Sequence, residues 1–188
     1  MKTKIVTFII LSMLQNVAIS SEYFYFERGE TAFDVNDVEF VAIYLVKPNG
    51  RYITRDVNDN AMNQNETERD LAKLNGCGKK GRFCVHDQAF DINDVEYVEV
   101  IGIKYNGDYV TRDLNDSAYN VSESNYDLAR LHGCGDYGVC VGAKAYDLND
   151  DEEVKIIAIQ ENGKFVTEDL NDGAINVNEK YERDFLLL

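Results

Sequence analysis

Ala32-Phe33-Asp34-Val35-Asn36-Asp37 returns as Ala89-Phe90-Asp91-Ile92-Asn93-Asp94, and again as Ala145-Tyr146-Asp147-Leu148-Asn149-Asp150. The steps are 57 and 56 residues. The same offset carries Asn49-Gly50 onto Asn106-Gly107 and Asn162-Gly163. It carries Arg55-Asp56-Val57-Asn58-Asp59 onto Arg112-Asp113-Leu114-Asn115-Asp116 and Glu168-Asp169-Leu170-Asn171-Asp172. A fixed internal period of this kind marks a repeat architecture. Three units span residues 23–77, 82–134 and 138–188.

Within each unit the pattern reads as β structure. A short strand comes first, over 31–34, 88–91 and 144–147. An Asx-rich turn follows, since Asp and Asn side chains bond their own backbone two residues on. A longer apolar strand begins at Val41, Val98 and Val154. Its alternation is clean at first and then lost, which predicts a bend or bulge. Asn-Gly is a strong hairpin signal, because both residues tolerate positive φ. It leads into Tyr52-Ile53-Thr54 and its two counterparts. A second Asx turn and a short strand near Asn63, Asn120 and Asn176 come next.

The segments after these strands read as about two helical turns. Asn65 and Glu68 have capping-box spacing, Leu71 and Leu74 share a helical face, and Gly76 suits the position past a helix end. Leu128, Leu131 and Gly133 repeat the pattern, and Phe185 to Leu188 give a truncated version. The fold class expected is mainly β: three tandem small SH3-like barrels, each closed by a helical turn. Cores this small need staples or neighbour contacts.

The stretch Cys140-Val141-Gly142 through Tyr146, with Ile157-Ala158-Ile159 and Asn162-Gly163-Lys164-Phe165-Val166, resembles tandem SH3-like repeats in secreted proteins of predatory Gram-negative bacteria. Those repeats begin Cys-Val-Gly and end with Asp-Leu-Ala running into Gly-Cys. Asp70-Leu71-Ala72 into Gly76-Cys77, and Asp127-Leu128-Ala129 into Gly133-Cys134, match that ending. The resemblance covers all three units and implies a fold and an exported location, without supplying an activity.

The four cysteines fall at unit junctions. Cys77 and Cys84 are seven residues apart, and Cys134 and Cys140 six. Glu27 stands where the first unit would carry an opening cysteine, so cysteines occur where one unit meets the next. Junction pairing, Cys77–Cys84 and Cys134–Cys140, leaves no orphan thiol. Pairing Cys84 with Cys134 would leave two. Zinc is the rival use, but these spacings are not the tight Cys-x-x-Cys knuckles of structural zinc.

The chain opens with Lys2 and Lys4, an apolar run from Ile5 to Leu14, and small residues Ala18 and Ser20. This predicts a secretory signal peptide over residues 1–20. The apolar run is too short for a bilayer span of about 20 residues. The expected location is therefore secreted or periplasmic, without membrane insertion.

Net charge is −15, and −17 once Lys2 and Lys4 are removed. Such a chain repels phosphate backbones, so nucleic acid is not an expected partner. A protein or cell-envelope ligand of unknown identity fits better.

The recurrent polar constellation is the Asp-x-Asn-Asp turn. Asp34, Asn36 and Asp37, with Asp91, Asn93, Asp94 and Asp147, Asn149, Asp150, are hard oxygen donors suited to calcium. Glu39, Glu96 and Glu152 follow in each copy. Plain turn chemistry explains the same residues without a metal, so the expected cofactor is none, with calcium left open. Neither histidine, His86 or His132, recurs in another unit, and no nucleophile elbow, His-Glu-x-x-His or phosphate loop is present. The expectation is no enzyme, but a multivalent binding or envelope-associated module, with a calcium-binding structural or adhesive protein as the alternative. N-terminal sequencing of exported protein should find a start near Ser21 or Glu22. Recovery of Met1 on that material would refute the leader.

Overall fold

Residues 24–188 are described by a computed structural model, and the signal peptide expected over residues 1–20 lies outside them. Each unit contributes five strands. Unit 1 has β1 (Thr31–Asp34), β2 (Glu39–Val46), β3 (Tyr52–Asp56), β4 (Met62–Glu66) and β5 (Leu71–Lys73). Unit 2 has β6 (Gln88–Asp91), β7 (Glu96–Lys104), β8 (Tyr109–Asp113), β9 (Tyr119–Glu123) and β10 (Leu128–Arg130). Unit 3 has β11 (Lys144–Asp147), β12 (Glu152–Ile159), β13 (Phe165–Asp169), β14 (Ile175–Glu179) and β15 (Phe185–Leu187). Every ladder between strands is antiparallel, and the order within a unit is β5-β1-β2-β3-β4 and its equivalents.

The long strands bend where alternation fails. Register shifts fall between Ile43 and Leu45, Val100 and Gly102, and Ile156 and Ala158. The extra residue turns the second half of the strand toward the neighbouring unit. The Asn-Gly hairpins form, but only the glycine takes positive φ, at 79°, 85° and 78° for Gly50, Gly107 and Gly163. The asparagine instead accepts a bond two residues on, as Asn49 Oδ1 does from the Arg51 amide at 3.2 Å.

The closing segments are strands, not helical turns. Leu71 packs into the core of its own unit with Val41, Ile43 and Tyr52. Ala72, its immediate neighbour, packs with Phe33, Ile101 and Val110 in a second core at the junction. Leu128 and Ala129 divide in the same way. Adjacent residues facing opposite cores have the period of a strand, which no helix provides. In the segment that holds the expected capping pair, Asn65 and Glu68, a turn forms instead of a capped helix: Asp70 Oδ2 accepts from the Thr67 amide at 2.8 Å and the Thr67 hydroxyl at 2.7 Å.

Separate closed barrels are not what these strands form. The fifteen strands make one open antiparallel sheet, and no ladder joins β4 to β5. The second edge of β5 is taken by the next unit, through Ala72–Lys104 and Lys73–Ile103. At the following junction Arg130 of β10 pairs with Ile159 of β12. Disulfides Cys77–Cys84 and Cys134–Cys140 stand at these junctions. Each closes a small loop carrying a 3₁₀ turn, at Lys79–Gly81 and Asp136–Gly138. Gly78 and Gly135, just past the first cysteine of each pair, lie so near Tyr109 and Phe165 that a Cβ would strike the ring. In unit 1 Phe24 and Phe26 complete the core in place of a stapled loop.

The turn between the first two strands of each unit holds a residue in the left-handed region at an equivalent place: Val38 at φ 58°, Val95 at 58° and Asp151 at 61°. A β-branched residue is strained there by about 1–2 kcal/mol, whereas Asn tolerates it. Both valines are exposed, so little burial is lost on replacement. Val95→Asn should stabilise the chain by about 0.5–1 kcal/mol, read as a rise in melting temperature. An unchanged or lower melting temperature would contradict the strain.

Candidate functional site

The first turn of each unit is built around a buried aspartate. Asp34 Oδ1 accepts from the amides of Asn36 at 2.9 Å and Asp37 at 3.4 Å. Asp91 and Asp147 repeat this with Asn93 and Asp94, and with Asn149 and Asp150. All three aspartates are almost completely buried. The asparagine amide donates to the aspartate that precedes the closing strand, Asn36 to Asp70 and Asn93 to Asp127, each at 3.1 Å. The turns are thus locked by ordinary Asx hydrogen bonding, and the side chains of Asn36 and Asn93 are engaged within their units.

Around that turn the strands bring more carboxyl groups than the turn alone offers. Antiparallel pairing sets Glu39 opposite Asp34, and Val41 opposite Asp56, which heads the second Asx turn. Glu66, at the end of β4, and Asp70 complete the group. The set in unit 1 is Asp34, Asp37, Glu39, Asp56, Glu66 and Asp70. Unit 2 repeats it as Asp91, Asp94, Glu96, Asp113, Glu123 and Asp127, and unit 3 as Asp147, Asp150, Glu152, Asp169, Glu179 and Asp184. Ligand-capable oxygens of Asp91, Asp94 and Glu96 lie within 4.8 Å of one another.

The electrostatics follow from this crowding. Burial, then the charges of Asp91, Asp127 and Asp94, push Glu123 up to about 8. Burial with the equivalent aspartates pushes Glu66 and Glu179 up to about 7. Glu39 is raised to about 7 chiefly by sharing a hydrogen bond with Asp56, whose own value falls. Glu96 is raised to about 7 by burial and then by Asp113, and Glu152 to about 7 by its bond to Asp169. Burial also works against ionisation of Asp70, but bonds from Thr67 and Asn36 outweigh it and hold its value low. Several buried oxygens in these clusters have no protein partner: Asp34 Oδ2 and Glu66 Oε2, Asp91 Oδ2 and Glu123 Oε2, and Glu179 Oε2. Such groups are satisfied by a proton or by a cation.

Sequence reading located the Asp-x-Asn-Asp turns and the Glu of the second strand. It missed Glu66, Glu123 and Glu179, and Asp70, Asp127 and Asp184. The glutamates sit at the same 57 and 56 offsets as the turns. The last aspartate is displaced by one residue in unit 3, where five steps instead of four separate it from the glutamate. Equivalence shows in the backbone bonds from Val35 to Asp70, Ile92 to Asp127 and Leu148 to Asp184.

The two junction clefts differ in chemistry. Arg82, Arg130, Gln160 and Glu161 line the one between units 2 and 3, of about 410 Å³. Arg69, Lys104, Tyr105 and Asn106 line one of about 320 Å³ beside the first junction. His86 is exposed and bonds Glu99, which also holds Arg112 at 2.6 Å.

Between pH 4.5 and about 8 the folded chain retains protons on the raised glutamates that the unfolded chain has released. Stability should therefore fall as pH rises through that window, most steeply around pH 6, where the unfolded glutamates are ionised and the folded ones still hold their protons, and should level off above about 8. Glu123→Gln should flatten the upper part of the profile and raise the melting temperature near pH 8. Calorimetric melts across this range check both, and a profile rising toward pH 8 would contradict the shifts.

Comparison with known proteins gives no match: no family model, no curated protein and no solved structure is significantly similar to the chain.

Proposed function

We propose that this chain is a non-catalytic, multivalent binding module of the cell exterior, in which three equivalent carboxylate-rich ends act together on a cationic protein or envelope ligand. The observation that carries this is the sixfold carboxyl set at equivalent positions in all three units. A catalytic centre needs one distinctive arrangement, whereas a surface presented three times multiplies weak contacts. The net charge of −15 acts in the same sense. The two disulfides support an oxidising compartment. The order β5-β1-β2-β3-β4 and the bulged second strand support reading each unit as an SH3-like barrel left open toward its neighbour.

A second reading is favoured by the unpartnered buried carboxylate oxygens. Each cluster would then take calcium, with Asp91, Asp94 and Glu96 as the best-gathered donors. Calcium binds through six to eight such oxygens.

Neutralising one, two and then three units through Asp37→Asn, Asp94→Asn and Asp150→Asn in the full chain tests the first reading. With a polylysine surface as probe, each added substitution should weaken binding by about tenfold. A loss complete after any single substitution would remove multivalency. Calcium at a hundred times its dissociation constant should raise stability by about 2.7 kcal/mol, reversed by chelator. A melt indifferent to both would remove the calcium reading and leave the first intact.

A further inference from the structure

The two ends of the sheet carry the two halves of a contact that the chain makes twice internally. At each junction the closing strand of one unit pairs with the post-bulge half of the next unit's long strand. Phe33, Ala72 and Leu74 meet Ile101, Val110 and Val121 at the first. At the second, Phe90, Ala129 and Leu131 meet Ile157, Val166 and Val177.

The pairing of Tyr146 with Leu186 matches that of Phe33 with Ala72 and Phe90 with Ala129. Leu186 therefore stands where Ala72 and Ala129 stand, and Leu188 where Leu74 and Leu131 stand. At the other end, Leu45 opposite Ile53 matches Gly102 opposite Val110 and Ala158 opposite Val166. Tyr44, Leu45 and Val46 are thus the counterparts of Ile101, Gly102 and Ile103. Ala72, Ala129, Ile101, Gly102 and Ile103 are buried and Leu74 and Leu131 partly so, whereas Tyr44, Leu45 and Val46 are 49%, 42% and 41% exposed, and Leu186 and Leu188 are 44% and 69% exposed. Among the described residues the ladder of β15 is with β11, a single bridge joins its first residue Phe185 to Tyr181, and Leu186 and Leu187 have no second strand partner; β2 beyond its bulge pairs only with β3. Both ends therefore present apolar side chains beside a free backbone edge. Soluble repeat arrays ordinarily end in polar faces, and free edges invite strand addition.

We propose that the tail strand β15 of one copy pairs with the post-bulge half of β2 in a second copy, so that copies associate head to tail through a third version of the junction. The contact is heterologous, giving open arrays, or rings if the rotation closes. Its strength differs from the internal junctions for a steric reason. A Cβ on Gly102 would lie 3.1 Å from the Ala72 Cβ, and the second junction sets Ala129 against Ala158. Between copies the same place holds Leu186 and Leu45. Two leucines hold the strands further apart than the internal pairs do, so association is reversible.

Sedimentation and light scattering over a concentration series test this. The protein should show a mass that rises above one chain with concentration. Leu45→Asp, blocking the head, and Leu186→Asp, blocking the tail, should each be monomeric and folded by circular dichroism. Mixed in equal amounts they should form dimers and nothing larger, because one working head and one working tail remain. Leu45→Ala with Leu186→Ala recreates the alanine pair of the second junction and should tighten association by about tenfold or more. A single-chain mass at every concentration, a mixture that stays monomeric, or a double-alanine variant that associates more weakly would overturn the proposal.

Discussion

Everything in this molecule depends on the sharing of β5 and β10 between neighbours. A three-residue strand has too few hydrogen bonds to hold itself in place. It becomes stable by lying between the first strand of its own unit and the bent long strand of the next. The bulge makes this possible, because past it the long strand keeps the third strand of its own unit but leaves the first, and the edge so freed takes the neighbour's closing strand. Small residues at the crossing, Ala72 against Gly102 and Ala129 against Ala158, let the backbones approach. The disulfides then tie the same crossings covalently.

That arrangement explains where the polar chemistry sits. The junctions take the apolar faces, including Val35 and Ile92 of the first turns, and the polar residues of the same turns, Asn36 and Asp37 with Asn93 and Asp94, stay exposed. An aspartate buried under the first turn supplies two backbone amides with an acceptor, and the carboxyl groups around it follow from strand register. Burial and crowding raise the glutamates and also Asp34 and Asp91, whereas hydrogen bonds hold Asp56, Asp113 and Asp169 low.

Much of the architecture was legible in the chain. The repeat, the first strand of each unit, the bulge and the junction cysteines follow from offsets and alternation, which are local. The closing strands were not legible. Leu71 and Leu74 have helical spacing, and what overrides it is the partner of Ala72 at Gly102, thirty residues away and in another unit. In units 1 and 2 the expected closure fails for the same reason, since the second edge of β5 and of β10 is taken by the next repeat. At the site, the Asp-x-Asn-Asp turns were visible as a motif. Glu66, Glu123 and Glu179 were not, because only the fold brings the end of the fourth strand beneath the first turn.

The shared strand has a consequence for biosynthesis. A ribosome releases Leu71 to Lys73 well before Ile101 to Lys104, so during synthesis the first unit waits with an uncovered edge for the next one to arrive. The same wait recurs from Arg130 to Ile159. Vectorial emergence therefore sets an order, in which each unit is completed by its successor and the nascent chain carries one open edge at a time. Acidic turns beside that edge keep neighbouring nascent chains apart by charge repulsion while it is uncovered.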